Sequence, residues 1–385
     1  MERAELIALV RATGCAVECD SNFFLCEPKH GEVEIAAAVA GGERGWLMVP
    51  SGGTSGARKF ARHDEWTLGA AVEGFCAHFG LGRVNAVDVL PAHHVSGLMV
   101  RVRCATTGGT HVAWSWKKLE AGEIPALRKG VDWVISLVPT QLQRLMASAA
   151  AVAWLRDFKV IFVGGGPVWP ALTDAAALAE LPISLSYGMT ETAAMVAALR
   201  PEEFLNGARS SGSALPHARL TLTDAGTLRI EGESVFRGYF PKLSDGRCFE
   251  TEDLAHADAQ GHWHILGRRD ALIITGGEKV NPAEVETALR ATGEFSDVAV
   301  VGVPDAEWGE QVVACHPAGG AEPNLDRVTT GLALLPAYQR PKRYLALAVT
   351  EWPRNAQGKL DRKSLIDAVR RAQDLPGKNA PDAVR

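Results

Sequence analysis

Residues 249–285 read FETEDLAHADAQGHWHILGRRDALIITGGEKVNPAEV, and this stretch does most to limit how the chain can fold. Glu252 and Asp253 follow Thr251, and the polar turn Asp258-Ala259-Gln260-Gly261 leads into alternating His262-Trp263-His264-Ile265-Leu266, the pattern of a hairpin's second arm. Gly267-Arg268-Arg269-Asp270 interrupts the pattern, apolar Leu272-Ile273-Ile274 follows, and Gly276-Gly277 breaks it again. Asn281-Pro282 opens a helix: Asn caps it, Pro suits its first position, and Glu284 and Glu286 favour its positive end. The same residues also fit an ordinary surface hairpin followed by a Gly-rich turn. A polar junction between a β-rich body and a new β-α unit is what a domain hinge looks like. The expected division is a large domain over residues 1–269, a small one over 270–372, and a frayed polar tail over 373–385.

Upstream of the junction the pattern is β-α alternation. Met1–Thr13 has helical apolar spacing, Gly45–Pro50 reads as a buried strand, and Trp66–Phe79 reads as a helix. Ala86–Leu90 is a strand, Leu98–Ala105 an apolar helix, and Trp133–Leu137 another strand followed by a helix rich in Leu and Met. Lys159–Val163 and Ile183–Leu185 are further strands, and Leu220–Phe240 alternates around the turn Asp224-Ala225-Gly226. This predicts an α/β fold: a large N-terminal domain with mostly parallel sheets flanked by helices, plus a small antiparallel β region. Beyond the junction, Val298–Val303 and Val312–Cys315 are strands that complete a small α+β domain. A chain of 385 residues with 47% hydrophobic content can bury cores for both.

The loops that follow the strands carry the polar chemistry. Ser51-Gly52-Gly53-Thr54-Ser55-Gly56-Ala57-Arg58-Lys59 directly follows a strand. Its small residues let the backbone curl so that N–H groups and hydroxyls converge, and Lys59 adds a cation, a set that suits a polyphosphate. A flexible loop is the plainer alternative, and no Ser or Thr follows the lysine as a P-loop requires. Pro91-Ala92-His93-His94-Val95-Ser96-Gly97, Gly164-Gly165-Gly166-Pro167 and Ser186-Tyr187-Gly188-Met189-Thr190-Glu191-Thr192 all fall at strand ends, where open α/β sheets place ligand groups. There Glu191 can hold Mg²⁺ through oxygen and Thr190 can bind a phosphate oxygen. Arg101 and Arg103 point to different faces of one apolar helix, and a charge in such a stretch needs a partner, so one of them is expected to face a carboxylate. Near the end, Pro353–Arg362 presents Lys359 beside a glycine in a polar loop, which alone is an ordinary basic loop.

A net charge of −5 gives no electrostatic case for nucleic acid as a partner. No apolar run reaches membrane-spanning length, and Met1-Glu2-Arg3-Ala4-Glu5 is not a signal peptide. Seven scattered cysteines without paired CxxC spacing complete no zinc site and fit reduced thiols in a cytoplasmic enzyme.

Taken in order, these segments resemble the adenylate-forming superfamily of acyl-CoA synthetases, luciferases and peptide-synthetase adenylation domains. The likeness runs from about Pro50 to Arg362, most of the chain. It implies ATP contacts at Ser51, Gly52, Gly53, Thr54, Ser55, Gly56 and Lys59, at Gly165, Gly166 and Pro167, and at Ser186, Tyr187, Gly188, Met189 and Thr190. It also implies a ribose contact at Asp253, where Thr251-Glu252-Asp253 replaces the usual Thr-Gly-Asp, and a nucleotide contact at Arg268. Lys359 is the implied catalytic lysine, with Thr190, Glu191 and His94 catalytic beside it and Glu191 the Mg²⁺ ligand. Asp270 is the implied hinge of a mobile C-terminal domain, and Gly276, Gly277 and Lys279 the implied path for CoA. The implied co-substrates are ATP, Mg²⁺ and CoA.

A closer resemblance is to the o-succinylbenzoate–CoA ligases of menaquinone biosynthesis. It rests on Leu90-Pro91 with His94-Val95-Ser96-Gly97, on Ser136-Leu137-Val138-Pro139-Thr140-Gln141-Leu142, and on Ser186–Thr192. It implies an aromatic dicarboxylic acid as substrate, lined by His94, Ser96, Arg103 and Gly188, with Arg103 facing the distal carboxylate. The implied reaction forms an acyl-adenylate and then a CoA thioester. A ligase for another aryl or acyl acid and a non-catalytic adenylate-binding protein are the alternatives. Only 50 residues precede the phosphate loop, fewer than in most relatives, so either the first subdomain is reduced or a homodimer covers the face left open.

Overall fold

The computed structural model describes residues 1–26, 44–51, 59–244, 246–295, 297–353 and 360–374. The chain packs as two compact units that divide between Leu266 and Gly267.

A seven-stranded sheet forms the body of the first unit. Its order is Ser213–Ala214, Ala194–Ala198, Ile183–Met189, Val160–Val163, Trp133–Leu137, Asn85–Asp88 and His111–Ala113. The five strands from Ile183–Met189 onward are parallel, and the two at the other edge are antiparallel. Apolar runs rather than alternation produce the central strands because helices cover both faces. Trp133, Ile135, Leu137, Ile161 and Val163 pack on one side with Leu142, Leu145, Trp154, Leu155 and Leu172 from helices. Val134, Val160 and Phe162 pack on the other with Phe75 and Val100. The helices Glu65–Phe79 and Val95–Thr106 supply that second layer.

Two smaller sheets flank this body. One runs Ala16–Cys19, Asn22–Leu25, Leu47–Ser51, Lys59–His63; the other runs Ala218–Leu222, Thr227–Gly232, Cys248–Ala257, Trp263–Arg268. The expected strand Gly45–Pro50 is therefore one member of a four-stranded sheet, and Lys59 opens a strand rather than closing a loop.

Asp64 joins these layers. It caps the helix Glu65–Phe79, accepting from Thr67 N at 2.9 Å, and its other oxygen accepts from Arg237 Nε at 3.0 Å and Gly45 N at 3.2 Å. Both ion-pair partners are buried, the Asp64 side chain completely and Arg237 to 8% exposure.

The second unit holds a five-stranded sheet. Glu278–Val280, Ile273–Thr275, Gly309–Pro317 and Ala299–Asp305 follow in order, and Arg343–Leu347 pairs parallel to Gly309–Pro317. Helix Pro282–Ala291, capped by Asn281 as its sequence predicts, packs Val285 and Leu289 on that sheet. Helix Arg362–Asp374 covers the opposite side with Leu365 and Val369.

Asp64→Ala is expected to destabilise the folded protein by about 3–5 kcal/mol, because it leaves the Arg237 charge buried without its partner. Asp64→Asn, which keeps an oxygen for the cap, should lose less. Denaturant unfolding checks both, and a loss under about 1 kcal/mol for Asp64→Ala, the range of an exposed pair, would show that the pair is not the joint between layers.

Candidate active site

The site is built around Glu191. The strand Ile183–Met189 ends in a tight Thr190–Thr192 turn, and Ala193 and Ala194 then take left-handed backbone angles, φ 52° and 80°, before the chain returns antiparallel. Gly188 permits this close return, since a Cβ there would lie 1.8 Å from the Ala194 carbonyl oxygen. The turn holds the Glu191 side chain at 6% exposure. One carboxylate oxygen, Oε1, accepts from Ser51 Oγ at 2.5 Å and from Tyr239 Oη at 2.6 Å. Lys59 Nζ lies 5.4 Å from the centre of the Tyr239 ring. Ser51, Lys59 and Glu191, distant in sequence, thus meet around one tyrosine.

His63 fixes the turn from behind. Its Nε2 is 2.7 Å from the Thr190 carbonyl oxygen and its Nδ1 3.0 Å from Thr67 Oγ1. The Thr190 carbonyl can only accept, so Nε2 carries the proton and Nδ1 accepts from the threonine. Burial lowers the His63 pKa, against the opposing pull of the Thr190 bond and the Asp64 and Glu191 carboxylates. Nothing in the sequence singles out this histidine, which ends the strand Lys59–His63.

The ribose candidate Asp253 is joined to the signature turn. Asp253 Oδ2 accepts from Tyr187 Oη at 2.5 Å, and Asp253 N donates to Thr251 Oγ1 at 3.0 Å. Gly164 packs on Ser186, where a Cβ would come within 2.8 Å of Oγ, and Gly165 has φ 79°. Gly166 and Pro167 continue that loop to the helix Pro170–Leu178, and Met189 closes the strand. His94 precedes the helix Val95–Thr106, with its ring 4.1 Å from that of His93. Ser96 lies in the first turn, and Gly97 lets the helix approach Pro91, whose carbonyl oxygen a Cβ would meet at 2.3 Å.

The two arginines of that helix have different surroundings. Arg101 reaches the fully buried Asp88 carboxylate at 3.2 Å, which also meets His111 Nε2 at 2.9 Å. Arg103 is 5% exposed and pairs with no carboxylate among the described residues. Its guanidinium lies 4.0 Å from the Phe75 ring centre, and its Nε has no hydrogen-bond partner. It borders a cavity of about 10 Å³ with Phe75, Val84, Ala86, Val100, Val134, Ser136 and Phe162. That is room for about one water. Desolvation pulls the Arg103 pKa down to about 10, so the cation persists at neutral pH.

His217, in the turn before Ala218–Leu222, belongs to the same neighbourhood. Its ring lies against Gly74, where a Cβ would fall 1.8 Å from Nδ1, and both ring nitrogens are buried without a hydrogen bond. Burial first, then the charge of Arg103, push its pKa down to about 4, with the Met195 backbone pulling the other way.

The remaining candidates lie in the second unit or outside the described residues. Arg268 and Asp270 form a two-point ion pair at 2.8 and 2.6 Å. Gly276 and Gly277, φ 58° and 84°, make the hairpin turn between Ile273–Thr275 and Glu278–Val280, and Lys279 is exposed on the latter strand. Gly276 sits under Trp308, whose ring a Cβ would meet at 2.9 Å. Gly52, Gly53, Thr54, Ser55, Gly56 and Lys359 lie outside the described residues.

Comparison with known proteins gives the family to which this two-unit α/β chain belongs. Residues 38–240 match the AMP-binding enzyme family and residues 284–359 its C-terminal domain. The chain belongs to the AMP-binding enzymes. It is 30% identical over 290 residues to the 2-succinylbenzoate–CoA ligase of Oceanobacillus iheyensis, covering 72% of this chain and 60% of that one. With the Enterococcus faecalis enzyme of the same name it is 31% identical over 301 residues, 74% and 61% of the two chains. The chain therefore spans about three fifths of these relatives' length, 60% in the first case. The Bacillus subtilis o-succinylbenzoate CoA synthetase bound to the acyl-adenylate OSB-AMP superposes with a TM-score of 0.72 at 25% identity, over 84% of this chain and 69% of that one. Among the described residues no helix is long and apolar enough to cross a membrane.

The neutral His217 gives a pH prediction. Its folded pKa, about 4, lies below the ordinary value of 6.5, so the unfolded chain binds the extra proton between them. The stability this histidine contributes is complete above pH 6.5 and is lost as pH falls towards 4, by up to about 3 kcal/mol. His217→Phe should flatten the acid limb of a plot of unfolding free energy against pH. An unchanged limb would mean that His217 titrates normally in the folded state.

Proposed function

We propose that this protein is an ATP-dependent acid–CoA ligase that joins an aromatic dicarboxylic acid, o-succinylbenzoate, to CoA through an acyl-adenylate. The observation that carries this reading is the buried Glu191 carboxylate, with one oxygen held by two hydroxyls and the other without a partner among the described residues. A single protein carboxylate suits Mg²⁺, which keeps waters and substrate phosphate oxygens as its other ligands. No cluster of three acidic, His or Cys side chains exists among the described residues to suggest a fully protein-bound metal. Bound there, Mg²⁺ supplies charge neutralisation for the phosphates.

The chain's own groups do the rest. Asp253, oriented by Tyr187, accepts the ribose hydroxyls, and the loop beginning at Ser51 takes the polyphosphate. The acid's carboxylate attacks the α-phosphate, releasing pyrophosphate; Lys359 stabilises the charge that develops on both groups. Rotation about Asp270 then replaces Lys359 with the turn Gly276-Gly277, where the open space at Gly277 leaves room for the pantetheine arm, and the CoA thiol displaces AMP. Holding the reactants in register supplies the rate without a covalent enzyme intermediate. A cytoplasmic location suits an enzyme with seven unpaired cysteines.

The substrate's second carboxylate is the part Arg103 reads. That cation is buried and unpaired, so a ring carboxylate arriving beside it satisfies two charges at once, widening the small cavity as it enters. Arg103→Ala should weaken use of o-succinylbenzoate by about 2–5 kcal/mol in kcat/KM, with ATP affinity nearly unchanged. Arg103→Lys should restore only part, because an ammonium lacks the planar fork. Parent activity in both variants would remove the case for a dicarboxylic substrate. Lys359→Ala should nearly abolish acyl-adenylate formation yet still convert supplied acyl-AMP to the thioester; equal loss of both half-reactions would contradict the division of labour.

A further inference from the structure

Arg103 does not stand alone. The helix Glu65–Phe79 places Gly74 and Phe75 side by side, and each supports one polar group: the His217 ring lies on Gly74 and the Arg103 guanidinium on Phe75. Leu215, two residues before His217, packs in the same apolar cluster as Phe75, Val100 and Phe162. The buried nitrogens in this neighbourhood, Nε of Arg103 and both ring nitrogens of His217, lack hydrogen bonds. Unsatisfied buried polar atoms are rare in folded proteins and ask for an explanation. The other charged or titratable groups near His217 and Arg103 are His78, Cys76 and Cys104. None of these is an anion in the neutral protein. Cys104 is held as a thiol by a pKa pushed up to about 12, and burial raises that of Cys76. His78 is occupied with the Ala198 carbonyl. The neighbourhood therefore has N–H donors and no resident anion.

We infer that His217 is a second specificity-determining residue of the acid pocket, donating a ring N–H to the same distal carboxylate that Arg103 engages. This rests on the reading of Arg103 given above and extends it to a residue on a different element. A carboxylate has two oxygens and about four acceptor sites, so an arginine fork and one imidazole N–H can be accommodated together. Only a neutral imidazole is favoured beside Arg103 before the acid arrives, and such a ring still offers one N–H. The close seat on Gly74 holds the ring in place, which spares the entropy of ordering it when substrate binds.

The test compares o-succinylbenzoate with 4-oxo-4-phenylbutanoate, the same acid without its ring carboxylate, in the full-length protein. The quantity read is the ratio of the two kcat/KM values, because a general packing defect lowers both and leaves the ratio alone. His217→Phe, which keeps a ring and removes the donor, should lower the ratio by about tenfold to a hundredfold, the range for losing a hydrogen bond to a charged group. His217→Gln, which restores an N–H donor, should recover part of it; His217→Leu, which also lacks a donor, replaces the first variant if the phenylalanine protein does not fold. A ratio that stays at the parent value in His217→Phe or, failing that, His217→Leu, while Arg103→Ala lowers it, overturns the role of His217 and leaves that of Arg103 standing. A parent ratio in Arg103→Ala as well overturns both.

Discussion

The architecture of the first unit depends on one buried ion pair. Asp64 receives Arg237 from the chain before Tyr239, Gly45 from the approach to the strand Leu47–Ser51, and Thr67 from the helix it caps. Replacing such a pair with apolar residues is often neutral or stabilising, so its value here lies in where it puts the chain. Next to it His63 binds the Thr190 carbonyl, and one residue further Glu191 receives the hydroxyls of Ser51 and Tyr239. Asp64 and Arg237 thereby bring residues from three distant parts of the sequence to a single carboxylate. The proposed binding of a cation and phosphates at fixed distances would need that rigidity more than additional stability.

Burial decides what each charged group can do. Asp253 is held by a tyrosine hydroxyl and remains an acceptor for neutral donors. Glu191 uses one oxygen internally and presents the other. Arg103 is a cation in an apolar wall whose nearest titratable neighbours do not neutralise it. These three environments correspond to three parts of the proposed reaction: ribose, Mg²⁺-bound phosphate, and the end of the acid that does not react. Arg101, only two positions away, already has Asp88 and joins the strand Asn85–Asp88 to its helix.

Much of the fold was legible because the signals were local and repeated. Apolar runs such as Trp133–Leu137 and Val160–Val163 are the strands buried on both faces, and Asn281-Pro282 is the helix cap its chemistry implies. The sheet formed by Ala16–Cys19, Asn22–Leu25, Leu47–Ser51 and Lys59–His63 was mostly illegible, since its strands are short and the glycines around Ser51 suggest loop. Of the site, the strand-end loops and Glu191 could be read from turn-forming residues beside polar ones. His63 could not: a histidine within a strand carries no local sign that it faces a carbonyl 127 positions away. Arg101 and Arg103 were separable by helical face, but which one meets a carboxylate depended on the placement of Asp88. His217 gave no signal, because its place on Gly74 is a contact between distant segments.

The central claim is that the chain activates an aromatic dicarboxylic acid with ATP and passes it to CoA. The most direct measurement is mass-spectrometric detection of CoA thioesters from the parent protein given ATP, Mg²⁺ and CoA, with aryl, fatty and amino acids offered separately. Thioester should form most efficiently from o-succinylbenzoate, accompanied by one AMP and one pyrophosphate for each product. Preferred use of a fatty or amino acid, or ATP bound with no thioester from any acid, would contradict it.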